Sequence, residues 1–311
     1  MEPARRLAQG KQRGRRVMGV SIFGHEISVK TTDCCHGDTP GSRVPPAVNL
    51  FVKVTDGCNA RCLFCSNAGA PHTTGPFDTA KLFSVVDELQ RNRIIINRFN
   101  ITGGEPAVVA PLVEELLQEL SKSRYDDIHV HLNTNGLLPS SQHLMQHPRF
   151  DSVSMSLHHY DRQRLSELYG TEILPSVLRF EGIDMMKLNA SCNLVRGYVD
   201  STAEAHRMMN FCLDLGITRL GFVALMDVNA YCHERFVPLS ALQLDTIPHC
   251  YFTESRNRGH NCCCSNYLYN RNLRVLDIYM RHYVNRAYCE SSLLFDGKHL
   301  RQGFGSDNII F

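Results

Sequence analysis

The 311-residue chain carries almost no net charge, +2 with histidine neutral. It therefore lacks the global basic footprint of nucleic-acid-binding proteins. No stretch approaches about eighteen consecutive apolar residues, the length a membrane-spanning helix needs. Nor does the chain open like a secreted protein, because its first segment is charged and Arg-rich with no apolar core. No internal repeat is found.

What is present is a chain with 43% hydrophobic residues, enough for one large domain or for one domain and a small appendage. Its 13 cysteines are an odd number in a long chain, which fits metal binding in a reducing cytoplasm better than a disulfide framework. Met1 to Arg16 holds six basic residues against one acid, Glu2, without hydrophobic periodicity. Residues 1–17 are thus expected to be a disordered basic leader, with Met18 as a second start; a basic arm touching RNA or an acidic partner is the rival reading. Residues 18–47 form an N-terminal extension.

From about residue 48, short β-rich runs alternate with amphipathic helical ones, the pattern of a parallel sheet built from βα units. Strands are expected at Val48 to Val54, Ile94 to Ile101, Ile128 to Leu132, Ser152 to Leu157, Cys192 to Val199 and Leu220 to Leu225. A helix is expected over Thr79 to Arg91. A second opens at Pro111, with Leu112, Leu116, Leu117 and Leu120 as its buried stripe. The fold class is therefore α/β, a partial (β/α)6 TIM-like barrel over 48–227, followed by a small cysteine-rich, β-rich appendage over 228–311. Catalytic groups of such barrels gather at the carboxyl ends of the strands.

The run Cys58-Asn59-Ala60-Arg61-Cys62-Leu63-Phe64-Cys65 lies at one such end. Three thiolates on a tight loop can hold three irons of a 4Fe-4S cluster and leave the fourth open to a small molecule. A closed zinc knuckle would need a fourth ligand at short spacing, and His72 is the nearest candidate. Some forty residues later, Gly103-Gly104-Glu105-Pro106 closes the second expected strand. There two glycines let the backbone approach another group closely.

The cysteine spacing, the aromatic before the last cysteine and the later GGEP motif together resemble the radical S-adenosylmethionine (radical SAM) superfamily, over roughly Val48 to Leu225. The resemblance implies a 4Fe-4S cluster on Cys58, Cys62 and Cys65, and S-adenosyl-L-methionine as the second cofactor. Reductive cleavage to a 5'-deoxyadenosyl radical and hydrogen abstraction from a substrate would follow. Gly103, Gly104, Glu105 and Pro106 would hold the methionine amine, Ser154 or Ser156 the ribose, and Arg196 the carboxylate. Phe64, with Phe222 and Val223, would line the adenine. Each has a plain structural alternative: a strand-to-helix turn, serines on one strand face, a surface arginine, core side chains. Asn133 and Asn135 either face the substrate or make the turn.

Cys250, Cys262, Cys264 and Cys289 could form a second iron-sulfur centre, as in the superfamily branch with a SPASM/twitch-like auxiliary-cluster appendage. A zinc site, a thiophile-binding pair or inert buried thiols are the alternatives. Cys34 and Cys35 could extend an iron-binding set or form a mobile reactive pair; Cys192 and Cys212 are expected in the core. Expected partners are a peptide or small-molecule substrate and an electron donor such as flavodoxin or ferredoxin, with no membrane and no nucleic acid. The competing functions are a glycyl-radical enzyme activase and an electron-transfer or redox-sensing iron-sulfur protein.

Overall fold

Along the central strands every second residue belongs to the core. Leu188, Ala190, Cys192 and Leu194 are buried, whereas Asn189, Ser191 and Asn193 between them are only partly so. This period of two produces a sheet with one apolar and one polar face. The computed structural model describes residues 17–30, 45–67, 75–253, 265–281, 292–303 and 308–311. The expectations for residues 1–16, Cys34, Cys35, His72, Cys262, Cys264 and Cys289 lie outside the described residues.

The elements run β1 (Val17–Ile22), β2 (His25–Lys30), β3 (Ala47–Lys53), α1 (Thr79–Arg91), β4 (Ile95–Thr102), α2 (Ala110–Leu120), β5 (Val130–Thr134), α3 (Pro139–Met145), β6 (Ser152–Ser156) and α4 (Arg162–Tyr169). They continue with β7 (Leu188–Leu194), α5 (Thr202–Asp214), β8 (Arg219–Ala224), α6 (Ala230–Glu234), β9 (Cys250–Phe252), β10 (Ser265–Arg271), β11 (Arg274–Arg281), β12 (Ser292–Phe295) and β13 (Leu300–Gln302). Strands β3 to β8 pair in sequence order, all parallel, as the barrel expectation requires.

The C-terminal segment is β-rich, as expected, and its strands join the barrel sheet. β11 pairs in parallel with β8, and β12 in parallel with β3, so the two strands extend both ends of the same sheet. An open parallel sheet leaves unpaired N–H and C=O groups at each edge, and these strands satisfy them.

Helices α1 to α5 cover the apolar face. Asp78 caps α1 by accepting the Lys81 N–H, and the helix buries Leu82, Phe83, Val85, Val86 and Leu89. Helix α2 carries a proline in its first turn and buries Val113, Leu116, Leu117 and Leu120. Val113 thus replaces Leu112 in the expected stripe. Each such fully buried aliphatic side chain stabilises the fold by about 1.5–3 kcal/mol.

Two strands differ from expectation. β5 runs on through Asn133 and Thr134. β7 spans 188–194 rather than 192–199, because Val195 and Val199 are buried from a turn around Gly197, whose φ is +88°, and not from the strand. Among the described residues, no helix is long and apolar enough to cross a membrane.

The other face is mostly polar. Register places Asn49, Arg98, Asn100, His131, Ser152, Ser154, Asn189, Ser191, Gly221 and Tyr279 on one side of successive strands. The twist of its parallel strands curls the sheet into a partial barrel, with this face inward and the helices outside.

Candidate active site

The backbone leaving β3 zips onto the backbone leaving β4. Val54 N–H donates to Thr102 O at 2.9 Å, Gly104 N–H to Thr55 O at 2.8 Å and Glu105 N–H to Gly57 O at 2.8 Å. This contact explains both glycines. A Cβ on Gly103 would stand 2.7 Å from Thr55 O, and one on Gly104 would stand 2.2 Å from Gly57 O and 2.6 Å from Asp56 O. The motif lacks side chains where the cysteine loop presses on it.

The Glu105 side chain turns inward. Its side chain is wholly buried, and Oε1 accepts from the Ala107 N–H at 3.1 Å, Thr134 Oγ1 at 2.7 Å and Ser141 Oγ at 3.4 Å, while Oε2 accepts from the Asn135 N–H at 2.6 Å. Burial raises its pKa while these donors lower it, leaving a net upward shift. The carboxylate is a strut between the β4 and β5 exits. Pro106 is buried as the first residue of the following 3-10 turn.

Asn135 closes the triangle. Its side-chain amide donates to Asn59 Oδ1 at 2.8 Å and approaches Cys58 Sγ at 3.8 Å. Asn67 Nδ2 donates to Gly103 O at 3.1 Å, and Asn229 Nδ2 to Leu63 O at 3.0 Å. From the far side, Arg61 N–H donates to Tyr169 O at 2.7 Å, beside the left-handed Gly170 that ends α4. Asn67 and Asn229 were not apparent from the sequence, since an amide clamp on a distant carbonyl leaves no local pattern.

Cys58, Cys62 and Cys65 are all partly exposed. Burial raises the Cys58 and Cys62 thiols, Cys62 to about 12, and the negative charges of the other thiolates add to both shifts. Three ionised thiols this near one another in sequence would repel unless a positively charged centre balanced them. No three His, Cys, Asp or Glu side chains among the described residues are arranged to hold a single metal ion. Three thiols on one loop can each ligate a different iron of a cubane.

Phe64 does not stand open for an adenine. It is buried edge-on to His158, with centroids 5.0 Å apart, in a cluster with Leu168, Val195, Leu225 and Cys232. Phe222 is fully buried on the helix-facing side, and Val223 lies on the inner face. Burial drives His158 down to about 3, so its Nδ1 is a steady acceptor for the Asn193 N–H at 3.1 Å. Cys232 is buried in the same cluster, against which Cys62 packs, and lies within electrostatic reach of Cys65.

Ser154 and Ser156 share the inner face, next to Asn189 and Ser191. Arg196 is not brought to the cysteine loop: it is exposed beyond the end of β7 and donates to Phe236 O at 3.2 Å. Cys250 is buried in β9, with its pKa pushed up to about 11 by burial. Its expected companions lie outside the described residues. Cys192 and Cys212 are core thiols, as expected.

Residues 52–182 match the model of the Radical SAM superfamily. The chain is 27% identical over 214 residues to a probable GTP 3',8-cyclase of Thermococcus kodakarensis, covering 64% of this chain and 65% of that one. It is also 27% identical over 196 residues to a GTP 3',8-cyclase of Mycolicibacterium smegmatis, covering 59% and 52%. The chain thus spans just over half to about two thirds of the length of these relatives. The crystal structure of Streptococcus suis SuiB is 18% identical, with a TM-score of 0.47 over 60% of this chain and 41% of that chain. With the motif triad assembled at the strand ends and the family model matched across it, residues 52–182 belong to the Radical SAM superfamily, whose enzymes use a 4Fe-4S cluster and S-adenosylmethionine.

Proposed function

We propose that this chain supports reductive cleavage of S-adenosylmethionine and transfer of a hydrogen atom from a peptide or small-metabolite substrate held in the barrel lumen. The single observation that carries this reading is the interlock of three loops, Cys58–Cys65, Gly103–Pro106 and Asn133–Gly136, by backbone and side-chain hydrogen bonds at the carboxyl ends of β3, β4 and β5. The chemistry supplied by a bound, reduced 4Fe-4S cluster is the single electron that breaks a carbon–sulfur bond.

Every other role falls to the chain. Cys58, Cys62 and Cys65 would ligate three irons. The backbone carbonyls of the Gly103–Pro106 turn would accept from the methionine amine, since the Glu105 side chain is committed internally. Ser154 and Ser156, partly exposed on the inner face, would bond the ribose. The curled sheet and the helices packed outside it would exclude water from the reacting atoms. An external one-electron donor of the flavodoxin or ferredoxin type would complete the cycle.

The test is anaerobic reconstitution with iron and sulfide, reduction with dithionite and measurement of 5'-deoxyadenosine from S-adenosylmethionine. Release by the parent, and its loss together with about four irons per chain in the Cys58→Ala/Cys62→Ala/Cys65→Ala variant, is expected. An iron-loaded parent that releases none would instead be an electron carrier.

A further inference from the structure

Two histidines share one serine at the floor of the barrel, the end opposite the cysteine loop. Ser152 opens β6, and its Oγ lies 2.7 Å from His129 Nε2 and 2.7 Å from His131 Nδ1. His129 immediately precedes β5 and His131 is the second residue of that strand, so the period of two turns both side chains to the inner face, where His131 is in register with Ser152. Their surroundings differ. His129 is partly exposed at the amino end of its strand, whereas Ser152 and His131 are buried. The chain His129, Ser152, His131 therefore runs without a gap from the surface of the floor to the wall of the lumen. Its inner end is fixed by Asn133, whose side chain hydrogen-bonds the His131 ring and which stands beside Ser154 in the register.

A hydroxyl carries a single proton, so Ser152 donates to one imidazole and accepts an N–H from the other. Both rings rest neutral, each with one N–H and one bare nitrogen. Burial holds them below the usual imidazole range, aided by Arg98 on β4 for both, by Arg281 on β11 for His131 and by Arg149 for His129, with Asp151 opposing at His129. Two concerted hops then move a proton inward. His129 Nε2–H passes its proton to Ser152 Oγ as the Oγ–H proton passes to His131 Nδ1, so the Nε2–H and old Oγ–H bonds break while new Oγ–H and Nδ1–H bonds form. Water restores a proton at His129 Nδ1, and His131 gives one up from Nε2 toward the lumen. The reverse sequence carries a proton out, and no electron moves in either direction.

We propose that His129, Ser152 and His131 form a proton relay through the floor of the barrel, giving the lumen acid–base exchange with solvent at the end away from the cysteine loop. The relay rests on the proposed reading of the lumen as the substrate chamber. A hydrogen atom leaves a substrate together with its electron, whereas any proton gained or lost in the same turnover needs a route of its own. Walls that exclude water from the reacting atoms make that route necessary.

The test is nuclear magnetic resonance of the anaerobically reconstituted protein with isotope-labelled histidine rings, the His131 signal being identified by its loss in His131→Gln. The His131 ring N–H should exchange with water at least roughly tenfold more slowly in Ser152→Ala than in the parent. Ser152→Thr, which keeps a hydroxyl, should retain the parental rate, and His129→Gln should slow exchange as Ser152→Ala does. Backbone amides of β5 and β6 should keep their parental exchange in all three, because a merely structural serine would move ring and amides together. Equal ring exchange in the parent and a folded Ser152→Ala protein would overturn the relay, as would parental ring exchange as slow as that of the neighbouring amides. If Ser152→Ala fails to fold, His129→Gln and Ser152→Thr decide: slow exchange in the first with parental exchange in the second supports the relay, and any other pair of results overturns it. Release of 5'-deoxyadenosine with ring exchange unaltered by these substitutions refutes the relay alone, whereas serine-dependent exchange without release refutes the proposed function alone.

Discussion

Replacing Gly104 by alanine adds one methyl group at the most crowded backbone contact in the site. The new Cβ would lie 2.2 Å from Gly57 O, 2.7 Å from Gly57 C and 2.6 Å from Asp56 O, all main-chain atoms that cannot rotate away. The GGEP turn and the cysteine loop must then separate, stretching the bonds from Gly104 N–H to Thr55 O and from Glu105 N–H to Gly57 O. Overpacking costs about 1–3 kcal/mol, and two hydrogen bonds add about 1 kcal/mol each. The sum, about 3–5 kcal/mol, is a large part of the 5–15 kcal/mol typical of a folded protein. At about 2 °C per kcal/mol for a chain of this size, the melting midpoint should fall by about 6–10 °C. Iron uptake on reconstitution should fall as well, because the displaced loop carries Cys58. Gly136→Ala is the control, since its new Cβ would meet only the flexible Met155 side chain and its φ of +73° costs about 1–2 kcal/mol. A Gly104→Ala protein that melts within about 2 °C of the parent and loads iron normally would refute the account of why these glycines are there.

Three further outcomes are expected. Glu105→Gln puts an NH2 group against N–H and O–H donors and should destabilise by about 1.5–3 kcal/mol, read as a shift in the denaturant midpoint; an unchanged midpoint would mean the strut carries no load. Asn135→Ala removes the tie from the β5 exit to Asn59 and Cys58, so stability should fall by about 1 kcal/mol and the cysteine loop should exchange its amide hydrogens faster; unchanged exchange would contradict the tie. His158, depressed to about 3, is neutral when folded but takes a proton below pH about 6.5 when unfolded. The unfolded state thus binds more protons between pH about 3 and 6.5, and stability should fall on acidification by about 2 kcal/mol from pH 6.5 to 5. His158→Asn should flatten that slope, and an identical slope in the variant would rule His158 out as its source.

Much of the site's chemistry was legible in the chain because it rests on local spacing. The cysteine run, the GGEP turn and helix α1 over Thr79–Arg91 each lie within a few residues, where rotamers, caps and periodicity act directly. The barrel strands were legible for the same reason, except where Val195 and Val199 mimicked a strand from within a turn. Contacts between remote segments were not legible. Nothing near Asn67 or Asn229 announces that their amides clamp Gly103 and Leu63, and nothing near Phe64 or Arg196 says that one is packed inward and the other turned outward.

By itself the sequence determined which atoms could do the chemistry: three thiols on one loop, two glycines at a strand end, and alternating polar and apolar residues along each strand. Only the tertiary structure decided that the glycines serve the cysteine loop, that Glu105 is a strut, and that β11 and β12 belong to the barrel sheet. The physical reason is that spacing along a chain sets local conformation, whereas sheet register and curl bring together side chains whose separation in sequence holds no information about their separation in space.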